Sequence, residues 1–142
     1  MLEQNTLTAE EFCALQQSVG FGLPDEEQVA DALRASLVTF KYVENDRTLG
    51  MGRVVGDGAR IFYLQDVFIH PDAQRRGVGT AIVDALLNWI RSALPEGRTV
   101  TVALMAATGK EPFYERFGFN IRPNAHQGSG MQRTLTADPP KA

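Results

Sequence analysis

The chain has 142 residues, is 44% hydrophobic and 22% charged, and carries a net charge of −3 at pH 7. That length suits one domain around one core, and the composition is that of a globular protein, a poor fit to disorder or membrane insertion. The acidic balance argues against nucleic acid as the main partner.

The opening residues, MLEQNTLTAEE, are polar and acidic, unlike the basic-then-apolar start of a secretory signal, so a cytoplasmic location is expected. A first strand has room only at Leu2–Asn5. Thr8-Ala9-Glu10-Glu11 is a capping box, and Phe12, Leu15 and Val19 share the face of the helix that follows. Cys13, the sole cysteine, leaves no intrachain disulfide or cysteine zinc cluster, and it reads as a packed side chain. Gly20-Phe21-Gly22-Leu23-Pro24 ends this helix. Asp25 caps a second one, with Gln28 in the reciprocal position and Val29, Leu33 and Leu37 forming its stripe.

The hydrophobic period then changes to two. Strands are predicted at Leu37–Val43, Thr48–Val55 and Ile61–Ile69, with turns at Glu44–Arg47 and Gly56-Asp57-Gly58, giving an antiparallel meander. His70-Pro71-Asp72 ends the third strand, which makes His70 more a structural residue than a base. A helix starting at Thr80 follows, with Ile82, Leu86, Trp89, Ile90 and Ala93 on one face. Its apolar run is broken by Asp84 and Asn88, so no membrane span is expected. Leu94-Pro95-Glu96-Gly97 stops it, and Thr99–Met105 reads as a strand reached by a crossover. A short helix with Pro112 in its first turn and Gly118 past its end comes next. Final strands are expected at Phe119–Arg122 and Met131–Leu135, around a Gly-rich loop whose His126 is a candidate substrate contact. The reading is one α+β domain over residues 1–137 and a loose tail over 138–142.

Chemistry concentrates in Ile69–Thr80, IHPDAQRRGVGT. A helix start presents unpaired amides and the positive end of a dipole, glycines at alternate positions admit an anion, and Arg75 and Arg76 add charge. This suits phosphate or pyrophosphate, although Gly77 and Gly79 alone are equally compatible with a turn. A P-loop is excluded by the absence of Gly-Lys-Ser/Thr. A dinucleotide fingerprint is excluded by Ile82 at its third glycine position and by the preceding meander.

Gln74-Arg75-Arg76-Gly77-Val78-Gly79, placed between a strand and a helix, resembles the Gln/Arg-x-x-Gly-x-Gly/Ala signature of the GNAT N-acetyltransferase superfamily. Pro112-Phe113-Tyr114-Glu115-Arg116-Phe117-Gly118-Phe119 resembles the family's Tyr-x-x-x-Gly-Phe block. Element order agrees over about Leu37–Phe119; Ala73 stands where a tyrosine is frequent.

The resemblance implies a single GNAT domain: a mixed, mostly antiparallel sheet with a splayed parallel strand pair, about four helices and three αβα layers. It implies acetyl-CoA as co-substrate and no metal. Gln74, Arg75, Arg76, Gly77, Val78, Gly79 and Thr80 would hold the pyrophosphate, and the backbone of Val67, Phe68 and Ile69 would run along pantetheine and the acetyl group. Tyr114 falls at the family position that protonates the departing thiolate, a modest demand, and is otherwise a packed aromatic. The acceptor ammonium must lose a proton, for which Asp66 is the candidate base and Glu111 the weaker one. Asp66 reads equally as a structural hydrogen-bond partner or a charge anchor for the acceptor. Phe21 is a candidate acceptor-site wall or, equally, a core plug. The implied activity is direct acetyl transfer in a ternary complex to a small primary amine, such as an arylalkylamine or polyamine. A protein lysine or N-terminal acetyltransferase and a non-catalytic acyl-CoA-binding module stay open as alternatives. Neither nucleic acid nor membrane is an expected partner, and a homodimer is compatible with the family.

Overall fold

In the computed structural model, which describes residues 1–140, five strands lie in chain order across one sheet: β1 (Leu2–Gln4), β2 (Val38–Glu44), β3 (Arg47–Gly56), β4 (Ile61–Ile69) and β5 (Thr101–Ala103). The first four pair antiparallel, and β4 pairs with β5 in parallel. The β2–β3 hairpin turns on Asn45 and Asp46, with φ of 51° and 61°. Both residue types tolerate the left-handed region, and that turn matches the twist of adjoining strands. Between β3 and β4 the loop is longer than the Asp-Gly signal suggests. There the Asp57 carboxylate accepts from the amides of Ala59, Arg60 and Ile61 at 2.8, 2.8 and 3.1 Å. These donors pull its pKa down to about 2.

The helices start where the sequence places caps. Thr8 and Glu11 form the reciprocal box of α1 (Ala9–Ser18). Asp25 accepts from the amides of Glu27 and Gln28 to cap α2 (Glu26–Ala35), without a return bond from the Gln28 side chain among the described residues. One face of the sheet carries α1 and α2, where Phe12, Leu15, Val29 and Met51 form one cluster with Phe68 at its margin. The opposite face carries α3 (Val78–Ala93), through Ile82, Val83, Leu86 and Ile90. Three layers result. Phe62, Met51, Ile82 and Leu86 are almost fully enclosed, each contributing about 1.5–3 kcal/mol through burial. Gly50 and Gly52 of β3 let α3 sit close: a Cβ at Gly50 would stand 2.9 Å from Val78 Cγ1, and one at Gly52 2.9 Å from Ile82 Cγ2 and Leu86 Cδ1.

Several expectations shift. Helix α3 begins at Val78, two residues before Thr80. Its buried face takes in Val83, while Trp89 is half-buried and Ala93 exposed. Residues Met1–Leu104 form one compact unit and those from Met105 onward a second. The second unit contains α4 (Glu111–Glu115), with Pro112 in its first turn and Gly118 beyond its end at φ +91°. Phe119–Arg122 and Met131–Leu135 are not strands. Met131 and Leu135 lie open to solvent; alternation favours a strand, but without a paired edge it does not make one. Residues 138–140 have no regular structure, and the last two residues of the expected tail lie outside the described residues. No helix among the described residues is long and apolar enough to cross a membrane.

Candidate active site

The segment between β4 and α3 is a tight turn that leads into an uncapped helix start. A 3₁₀ turn over Pro71–Ala73 follows β4, with His70 Nδ1 accepting from the Asp72 amide at 3.0 Å. His70 is thus structural, as its place before a proline suggests. Gln74 Nε2 donates to Ile69 O at 3.1 Å, tying the loop back to the strand end. Gln74 is extended, Arg75 has φ +63°, and Gly77 has φ +80°. These changes of backbone sign make the turn tight where it leads into the helix start. Gly77 is also the N-cap of α3, with no side-chain cap and no acidic residue in the first turn. The first bond of the helix runs from the Ala81 amide to Gly77 O, so the amides of its first turn have no intrahelical acceptor. Uncapped amides plus the positive end of a sixteen-residue helix fit a pyrophosphate group.

Two ion pairs anchor this loop to the β2–β3 hairpin. Arg47 Nη2 lies 3.1 Å from Asp72 Oδ2, and Arg76 Nη2 lies 2.6 Å from Glu44 Oε2. The bond from Arg76 holds the Glu44 carboxyl below its usual range. The two arginines of the motif therefore differ. Arg75 has no ion-pair partner among the described residues, whereas the charge of Arg76 is already met.

The strand leading into this turn is irregular. Met51 faces Phe68 and Arg53 faces Gln65, so Asp66 and Val67 together oppose Gly52. This is a β-bulge, and Asp66 occupies it with φ +56°. On its other side β4 pairs with β5 only from Ile61 to Tyr63, leaving Leu64–Ile69 without a strand there among the described residues. The parallel pairing thus ends at Tyr63, ahead of Val67, Phe68 and Ile69. The bulge also tilts Asp66 into an ion pair, with Arg53 Nε donating to its Oδ2 at 2.7 Å.

Phe21 stands on the α1–α2 loop, 58% exposed, with its ring centroid 5.8 Å from that of Phe68. It is not a core plug. Phe68 in turn packs edge-on against buried Phe12 at 5.9 Å. Cys13 is buried, and burial raises its thiol pKa.

In the second unit, Tyr114 is half-buried, with Phe113 at 5.0 Å and Phe119 at 6.1 Å, both edge-on. Burial raises its phenol pKa. Glu111 is the first residue of α4, and His126 is exposed, its amide donating to Asn124 Oδ1. The structure thus brings Phe21, Asp66–Ile69 and Gln74–Thr80 together in the first unit, while Tyr114 and Glu111 belong to the second. Sequence reasoning missed Glu44, Arg47, Arg53 and Ser36. Their partners lie 13 to 32 residues away in the chain, and no local pattern marks such pairs.

A family profile described as an acetyltransferase (GNAT) domain matches residues 36–121. The chain belongs to the GNAT acetyltransferase family. Among similar proteins is an uncharacterized N-acetyltransferase, ycf52, of Pyropia yezoensis, 27% identical over 87% of this chain and 70% of the relative. Serotonin N-acetyltransferase 2, chloroplastic, of Oryza sativa subsp. japonica is 31% identical over 82% of this chain and 58% of its own length. Among solved structures, a GNAT-family acetyltransferase of Streptococcus pneumoniae superposes with a TM-score of 0.79 at 25% identity, covering 95% of this chain and 97% of that one. The five-stranded mixed sheet with four helices is therefore the GNAT fold, and the chain is an acyltransferase. GNAT enzymes generally take acetyl-CoA as donor and amines of small molecules or proteins as acceptors.

Proposed function

We propose that this GNAT enzyme transfers the acetyl group of acetyl-CoA to the primary amine of a small molecule, an arylalkylamine in preference to a polyamine. The observation carrying the acceptor class is Phe21, exposed and leaning on Phe68 of the strand assigned to the acetyl group. An aromatic pair of this kind offers a face to a flat apolar side chain. A polyamine would need free carboxylates, and Asp66 and Glu44 are engaged by Arg53 and Arg76. The similarity to a protein named serotonin N-acetyltransferase points the same way.

In the reaction, the amine nitrogen attacks the thioester carbonyl, the new C–N bond forms as the C–S bond breaks, the thiolate gains a proton, and the proton that the amine loses passes to water. Amides of Arg75–Thr80 hold the pyrophosphate. The backbone of Val67, Phe68 and Ile69 aligns the pantetheine, and an N–H there meets the charge developing on the carbonyl oxygen. Tyr114 supplies the proton to the thiolate. Its raised pKa suits a donor that must be protonated at neutral pH.

A thiol-release assay across arylalkylamines, spermidine-type polyamines and peptide N-termini tests this reading. The expected result is a kcat/KM for arylalkylamines at least about tenfold above that for polyamines. Preference for a peptide or polyamine would reject the acceptor class. Acetyl-CoA binding with no thiol release from any amine would reject the transferase role of this chain.

A further inference from the structure

The carboxylate of Asp66 stands out as a candidate base in the sequence, yet in the fold it is engaged on two counts. Its backbone holds φ +56° at the bulge of β4, a conformation that Asp and Asn tolerate better than other non-glycine residues. Its side chain receives Arg53 Nε at 2.7 Å, with both side chains largely enclosed, 14% and 17% exposed. Arg53 in turn donates through Nη1 to Ser36 Oγ at 3.2 Å, and Ser36 Oγ donates to Ala32 O in the last turn of α2 at 2.8 Å. One continuous polar chain thus runs from the end of α2, through β3, to the bulge.

We propose that Asp66 is a positioning residue, and that the Arg53–Asp66 pair, braced by Ser36, fixes the bulge that aims the backbone of Val67 and Phe68 at the acyl group. An enclosed carboxylate already accepting from a guanidinium offers its lone pairs to a permanent partner, which holds it in one orientation. A bulge also re-aims the residues that follow it, and Phe68, the residue supporting Phe21, is two positions on. The same lock therefore sets both the acyl-facing backbone and the aromatic wall. This inference rests on the acetyltransferase reading.

The discriminating variant is Asp66→Asn, which keeps the left-handed backbone and an oxygen acceptor for Arg53 but is no base. Positioning predicts kcat within about threefold of wild type and an unchanged pH profile, because geometry is retained. Asp66→Ala and Arg53→Met should each lower kcat by about tenfold or more, with little change in CoA affinity. A fall in kcat beyond about tenfold in Asp66→Asn would overturn the proposal, most directly if the acidic limb of the profile vanished with it. Should the alanine variant fail to fold, the amide NMR shifts of Val67 and Phe68 in Asp66→Asn and Arg53→Met carry the test. They should stay near wild type in the first and move in the second; the reverse overturns the lock. That readout needs no turnover, so it separates failure of the lock from failure of the acetyltransferase reading, which would leave the wild type itself inactive.

Discussion

Arg76 and Glu44 meet at 2.6 Å, so the second of two adjacent arginines in the glycine motif is neutralised by the β2–β3 hairpin while Arg75 is not. Adjacency in sequence conceals this division: Arg76 holds the loop, and Arg75 is left to meet an anion. Arg75→Ala should then weaken CoA binding by about three- to tenfold at low salt, an effect that fades as ionic strength rises. Arg76→Ala should change it by about twofold or less, since an exposed ion pair contributes little. Titration calorimetry with CoA at two salt concentrations checks both; equal losses would show that the pairing with Glu44 does not persist in the complex.

Gly77 carries φ +80°, and a Cβ there would meet nothing within 4 Å. The cost of Gly77→Ala is therefore backbone strain and not a clash, roughly 1–2 kcal/mol from the left-handed region. Gly77→Asn should cost less. Urea unfolding of the three proteins should rank them glycine, asparagine, alanine, with CoA affinity following the same order.

Removing the Tyr114 hydroxyl in Tyr114→Phe should lower kcat by about ten- to hundredfold and leave CoA binding nearly intact. Because burial raises the phenol pKa, the acid form persists past the ordinary value of 10.0. A basic limb of the wild-type rate profile caused by this group must lie above pH 10. One centred near neutrality would belong to another residue.

Phe21→Ala should raise KM for arylalkylamines by about three- to tenfold, the value of an aromatic contact, with little change in kcat. Since Phe21 is 58% exposed, the stability cost should be about 0.5 kcal/mol or less. Steady-state kinetics with an aromatic and an aliphatic amine measure the contrast, and equal KM changes would remove Phe21 from recognition.

Asp57 gives a pH signature away from the active site. Its pKa is depressed to about 2 from 3.8 by three amide donors, so its charged form stabilises the fold above the unfolded value. That contribution falls away as pH drops from about 4 through about 2. Comparing the Tm of wild type and Asp57→Asn across this range should show a difference at pH 6 that closes toward pH 2.

The local signals were sufficient where a few neighbouring residues decide the outcome. The Thr8–Glu11 box, the Asp25 cap, the alternation of Ile61–Ile69 and the glycines of Gln74–Gly79 each act within a turn or one strand, and the elements formed there. The GNAT resemblance rested on two such segments, and it reached the fold and the donor because spacing along the chain preserves them. Strands at Phe119–Arg122 and Met131–Leu135 failed on the same ground, since a strand needs an edge that only another segment supplies.

What the sequence by itself determined was the glycine-led helix start: Gly77 takes φ +80° as the N-cap of α3, and an uncapped helix start presents amides wherever that helix lies. Tertiary structure alone decided how the side chains around it are used. Glu44 claims Arg76, Arg53 claims Asp66, and Phe21 leaves the core to lean on Phe68. Each depends on residues 13 to 47 positions apart, brought together by sheet pairing, a bulge and a loop. Charge and ring partners are chosen by proximity in space, and the chain carries no local record of it.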